Sequence, residues 1–178
     1  MFQKHLLTTT LEGAILNTSP SSTPFAPQLH TRPATIADAP RIFELYCGAP
    51  RYFDLLSAPL PTLPEVEREL EAAAQDPKRC VELLLEEGRA VGYLDYKLDY
   101  PEPGDATVNL LLIPEAIQSR GYGRRSIGLL EASLQGRAKR VLASIYGSNA
   151  RAKRFWRSLG YRFAIDARPI LEWYAKEL

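Results

Sequence analysis

Histidine and cysteine are scarce in this chain, two of each among 178 residues, and methionine occurs once. His5 and His30 have no recognisable nucleophile partner, so a Ser-His-Asp hydrolase finds no support. Cys47 and Cys80 lack metal-ligand spacing, and a single possible pair is too little for a disulfide scaffold; no metal site and reduced thiols in a cytoplasmic protein are expected. Long apolar runs are missing as well. None approaches the roughly 20 residues that span a bilayer, which argues against an integral membrane protein. The opening stretch MFQKHLLTTTLEGAILN has an apolar segment broken by three threonines and Glu12, a poor core for an export signal. A surplus of one charge is also lacking. The formal net charge of +1 leaves no global field that would advertise nucleic acid or an anionic membrane as partner, so any functional positive charge has to be local.

What is present is enough apolar residue, 46%, for one domain with a sizeable core. NTSPSSTPFAPQ, residues 17–28, is rich in Ser, Thr and Pro and reads as a linker, so residues 1–28 form an extension and 29–178 the main domain. LHTRPAT predicts a first strand, and IADAPRIFELYCG a helix with Asp38 as start signal and Ile42, Leu45 and Tyr46 on one face. APRYFDLLSAPLPT reads as a proline-broken loop, followed by the helix LPEVERELEAAAQD with acidic residues in its first turn. RCVELLLEEGRAVGYLDYKLDY predicts two strands hinged at Glu87-Gly88, and ATVNLLLI a third run of strand character. RRSIGLLEASLQG is a helix stopped by Gly136, KRVLASIYG a strand, and NARAKRFWRSLG a helix between Asn149 and Gly160; YRFAIDARPILEWYA supplies one or two last strands. Strands and helices mix without strict alternation, which predicts an α/β (mixed α+β) fold with a central mixed sheet covered by helices on both faces.

The stretch IPEAIQSRGYGRRSIGLL, residues 113–130, joins a strand to a helix through Gln118, Ser119, Arg120, Gly121, Tyr122 and Gly123. That order gathers unpaired backbone NH groups at a helix N-terminus, an anion cradle. Glycine lets an anion approach the backbone, and Arg120, Arg124 and Arg125 can add charge-assisted hydrogen bonds. A P-loop would need a Gly-Lys-Ser/Thr ending, and a dinucleotide fingerprint would need glycine in place of Ser126. A glycine-relieved tight turn with solvated arginines is the competing reading of this stretch taken alone.

The downstream segment weighs against that plain turn. Gln118-x-x-Gly121-x-Gly123 after an apolar strand, followed by Asn149-x-x-Ala152 and by Phe155-Trp156 through Gly160-Tyr161, resembles the GCN5-related N-acetyltransferase (GNAT) superfamily. The resemblance spans roughly residues 29–178 and is strongest from 105 to 163. It implies a mostly antiparallel, twisted sheet of about six to seven strands, with acetyl-CoA bound where two parallel strands, ending near Ile113 and Tyr146, splay apart. It also implies that Leu111, Leu112 and Ile113 pair with the pantetheine arm and that the amides from Gln118 to Arg124 hold the diphosphate. Asn149, Ala152, Phe155 and Trp156 would border the pantetheine and its thiol end.

Acetyl transfer to an amine needs a neutral nucleophile, a donor for the developing oxyanion and a proton for the departing thiolate. A backbone NH at or near Leu112 fits the oxyanion role. Many members of the resembled family carry a tyrosine seven residues after the asparagine as the acid; here that residue is Trp156, whose indole cannot serve as a proton source, and Tyr146 or solvent are the candidates. Asp105, at the head of the strand leading to the cradle, is the expected base. A second departure is Pro114, which follows the strand one residue early. Asp95, Asp99, Glu102 and Asp105 with Tyr93, Tyr96 and Tyr100 would suit a cationic amine, or form an ordinary sheet edge. The loop with Arg51, Tyr52, Phe53 and Asp54 falls where the family builds its acceptor pocket. The expected partners are acetyl-CoA and an amine of a small molecule or protein, without nucleic acid or membrane; a homodimer, frequent in the family, is a further expectation. A coenzyme A-binding module with little turnover is the alternative.

Overall fold

A computed structural model describes residues 28–168 and 171–178, so all but Gln28 of the expected extension and linker lies outside the described residues. Among the described residues seven strands form one sheet in the order β1-β2-β3-β4-β5-β7-β6. They are β1 (Leu29–Pro33), β2 (Arg79–Glu86), β3 (Arg89–Leu98), β4 (Asp105–Leu112), β5 (Arg140–Tyr146), β6 (Arg162–Arg168) and β7 (Leu171–Glu177). Every neighbouring pair is antiparallel except β4 with β5. The mostly antiparallel sheet with helices on both faces is the architecture expected from the sequence.

Period-two alternation divides the core. On β2, Leu83 and Leu85 point to one face and Leu84 to the other; on β3, Tyr93 and Leu94 divide the same way. The first face packs against α1 (Ala39–Cys47), α2 (Pro50–Leu56) and α3 (Leu63–Gln75) through Ile42, Phe53, Val66 and Leu70. The second packs against α4 (Tyr122–Leu134) and α5 (Ala150–Ser158) through Ile127, Leu130, Leu134 and Trp156. Glu87 and Gly88 both have positive φ, 51° and 77°, which gives the β2–β3 hairpin the twist its strands require.

Helix α2 corrects the expected proline-broken loop. Pro50 occupies its first turn, where a missing NH costs nothing, and the next proline, Pro59, comes after the helix has ended at Ser57 with φ 51°. These prolines delimit the helix instead of breaking it. Asp38 departs from expectation more mildly: its carboxylate does not cap α1 but closes on Arg32 at 2.6 and 2.8 Å and on the Thr35 amide at 2.9 Å.

Candidate active site

The sheet forks between its two parallel strands. β4 and β5 pair from Asp105↔Arg140 to Val108↔Ala143 and no further, while β5 stays paired with β7 out to Tyr146. The fork begins at a bulge: Asp95 of β3 faces Leu110 and Tyr96 faces Val108, so Asn109 is an extra residue without a counterpart. An added residue bends and twists its strand, which turns the end of β4 away from β5. The strand edge at Leu110, Leu111 and Leu112 is thereby left without a neighbour on that side.

A cleft of about 780 Å³ occupies the fork. Of the residues expected at the site, Leu111, Leu112, Ile113, Gln118, Ser119, Gly121, Tyr122, Gly123, Arg124, Tyr146, Asn149, Ala152, Phe155 and Trp156 all line it. Arg120 does not; its guanidinium lies 3.4 Å from the Ala116 carbonyl. Asp105 heads its strand as expected but does not line the cleft either. It lies at the closed end of the fork, about 16 Å from Leu110 at roughly 3.3 Å per residue. There it is buried, clamped by Arg140 at 2.7 and 2.8 Å, and that guanidinium holds its carboxyl below the usual range.

The two glycines serve different ends. Gly121 has φ 84°, a left-handed conformation that turns the chain into α4, and a Cβ there would meet nothing within 4 Å. Gly123 admits the ring of Phe155, whose Cε2 and Cζ would lie 3.1 Å from a Cβ. The first backbone bond after the turn runs from the Arg125 amide to the Gly121 carbonyl, so the amides of Tyr122, Gly123 and Arg124 precede the helical ladder. Gln118 fastens the loop to the strand by donating through Nε2 to the Ile113 carbonyl at 2.7 Å.

The arginines are less available than the sequence suggests. Arg124 reaches the Ser158 carbonyl at 3.1 Å, and Arg125 pairs with Glu86 at 2.9 Å, where the Tyr122 hydroxyl also donates. On the far wall, Asn149 caps α5 by accepting from the Ala152 amide at 2.9 Å. Trp156 is 6% exposed and packs edge-on against Phe155 and Tyr161, at 5.2 and 4.7 Å between centroids.

Three groups at the cleft escaped residue-level reading. Tyr52, in the region assigned only broadly, lines the cleft from α2, and burial together with nearby Tyr146 pushes its phenol up to about 12. Glu115 holds that helix in place, accepting from the Arg51 amide at 2.9 Å and pairing with its guanidinium at 3.3 Å. Asn109 is exposed in the cleft at the bulge itself. The acidic and aromatic group around the hairpin does not form one surface: Asp95 pairs with Arg79, Asp99 with Lys78 and Asp105 with Arg140, while Tyr93 and Tyr96 are buried. Among the described residues no group of His, Cys, Asp or Glu could hold a metal ion, and no helix is long and apolar enough to cross a membrane.

The sheet opens where the two sequence motifs meet, so the resemblance has a structural counterpart. Residues 40–161 match the acetyltransferase (GNAT) family, and the chain belongs to it. Among solved structures, an acetyltransferase from Thermus thermophilus is 43% identical with a TM-score of 0.81, the match covering 84% of this chain and 97% of that one. The aminoglycoside acetyltransferase AAC(6')-Ib in complex with coenzyme A shares the fold at 17% identity and a TM-score of 0.72, covering 84% and 95%. So does the acetyltransferase from Salmonella typhimurium that modifies the N-terminal serine of ribosomal subunit protein L7/L12, at 15% identity, a TM-score of 0.72 and the same coverage. No curated protein matches the sequence.

Proposed function

We propose that this protein transfers an acetyl group from acetyl-CoA to a primary amine of a small molecule or protein, by direct attack within a ternary complex. The observation that carries the reading is the fork: an unpaired β4 edge runs along a cleft and ends at the free amides of a glycine-led helix start. An extended ligand with amides and a diphosphate fits those features in that order. Leu111 and Leu112 would receive the pantetheine arm, with Phe155 and Ala152 beside it; the Gln118 amide is already bonded to the Glu115 carbonyl at 3.3 Å, so of the expected stretch the amides from Ser119 to Arg124 would hold the diphosphate. The Ile113 carbonyl is already taken by Gln118, so its part is narrower than the sequence suggests.

The thioester supplies an activated acyl carbon. Attack forms the N–C bond and breaks the C–S bond; the amine loses its proton to water in the open cleft, and the thiolate gains one. Tyr146, which lines the cleft at the end of β5, would give that proton. An alkyl amine with a pKa near ~10 is about 1% neutral at pH 8, so turnover should climb close to tenfold per pH unit from 6 to 8. Tyr146→Phe should lower kcat by about 10² with little change in KM, as measured by thiol release.

The coenzyme A-binding module remains the second reading, favoured by the packed Trp156 in place of a tyrosine. Calorimetry with acetyl-CoA and a free-thiol assay across a diverse amine panel separate the two. Binding with thiol release supports the enzyme, binding without release supports the module, and no binding sinks both.

A further inference from the structure

Asn109 stands at the branch point of the sheet, the first residue beyond the last β4–β5 pair and the one that bulges from β4. Its Nδ2 lies 3.1 Å from Asp95 Oδ1. Asp95 is 3% exposed and takes three contacts of 2.5 to 3.3 Å from the Arg79 guanidinium, which also reaches Glu69 at 2.9 Å; Glu69 in turn accepts from the Tyr46 hydroxyl at 3.3 Å. A carboxylate held by arginine can only accept, so the group that faces it must be the amide NH₂. The orientation of the side chain follows: Nδ2 is committed inward, and Oδ1 is the atom left to the exposed side. Among the described residues no hydrogen bond reaches Oδ1, although Asn109 lines the cleft.

We propose that Asn109 Oδ1 is the acceptor that receives an N–H of the incoming amine and fixes its nitrogen at the fork. The proposal rests on the acetyltransferase reading and deepens it. The chemistry suits a nucleophile that must arrive neutral. A carboxylate at this place would favour the ammonium form, whereas an amide carbonyl accepts from a free amine without holding its proton. Tyr52, Ser144 and Tyr146, which also line the cleft, are uncharged; its charged lining residues are Arg51, Arg124, Arg151 and Glu115, a basic excess, and the buried Asp95 carboxylate pairs with Arg79. The acceptor class this favours is an amine with a neutral or apolar neighbourhood around its nitrogen, in preference to a polycation.

The test uses the full chain, with coenzyme A bound and an amine that the wild type acetylates. Asn109→Leu keeps the shape and removes the acceptor. It should raise the amine KM about tenfold, the loss of one hydrogen bond, while acetyl-CoA affinity stays within twofold. Should the leucine variant fail to fold, Asn109→Ala carries the same expectation. Asn109→Asp restores an oxygen acceptor that cannot donate to Asp95 when ionised and that favours the ammonium form, so it should keep the amine KM within threefold of wild type while lowering kcat at pH 7. An unchanged amine KM in a folded leucine or alanine variant overturns the proposal. So does an aspartate variant whose amine KM rises as far as that of the leucine one, because the bond to Asp95, and not the free oxygen, would then be what matters. Calorimetric titration of the amine into the protein–coenzyme A complex reads Asn109 without turnover. A wild type that binds the amine but releases no thiol therefore refutes the enzyme reading separately from this one.

Discussion

Asp105 is a carboxylate only 4% exposed, and it stays ionised because Arg140 meets it with two hydrogen bonds. Removing one member of such a pair strands the other, so Asp105→Asn should cost about 3 kcal/mol at pH 7, read from urea unfolding. The sign of the pH dependence follows from the direction of the shift. The folded-state carboxyl lies below its unfolded value of about 3.9, so the contribution is complete above that value and is lost as pH falls through the folded one. Wild type and variant should therefore converge in stability below about pH 4. Because the residue lies at the closed end of the fork, kcat and acetyl-CoA affinity should stay within twofold. A hundredfold fall in kcat in a natively folded variant would return Asp105 to the role of base. The sequence could not reveal this clamp: Arg140 is 35 residues away, and only the parallel register of β4 with β5 brings the two together.

At the scale of single elements, the start of α4 separates two reasons for glycine that look alike in sequence. Gly121→Ala forces a left-handed φ on a side chain that otherwise has open space, a strain of about 1–2 kcal/mol that should lower stability and loosen the amide array. Gly123→Val instead drives into the Phe155 ring. It should push α5 away from α4 and weaken acetyl-CoA at least tenfold by calorimetry, with a smaller loss for Gly123→Ala. The strand, the loop and this helix were legible because apolar periodicity and glycine punctuation are local signals. So was α5, whose asparagine cap and Gly160 stop, φ 90°, lie at its own ends. Helix α2 was hidden by its flanking prolines, which mean a boundary or a break depending on one position. The bulge at Asn109 was hidden more deeply: nothing in ATVNLLLI marks it, because it exists only in the mismatch with β3.

Across the whole molecule, the sheet consists of two antiparallel blocks, β1 to β4 and β5 with β7 and β6, joined in the sheet by four residue pairs between β4 and β5. The second core, which carries Val108, Ile127, Val141 and Trp156, ties the blocks together from one face. Beyond Val108 and Ala143 the cleft separates them, so the backbone there should open more readily than the paired stretch below it. A ligand lying along the fork bonds to one block and packs on the other, and its binding free energy appears as added stability, about 2.7 kcal/mol at a hundred times Kd. For a chain of this size that corresponds to a rise in Tm of about 5–10 °C. Hydrogen exchange locates the effect. With acetyl-CoA, protection should increase at residues 110–112 of β4, at the amides from Ser119 to Arg124 and in the first turn of α5. With a nucleotide diphosphate that lacks the pantetheine arm it should increase only from Ser119 to Arg124. Equal protection of β4 by both ligands would mean that the strand edge is not where the arm binds, leaving the helix start as a phosphate site and removing the ground for placing the thioester at the fork.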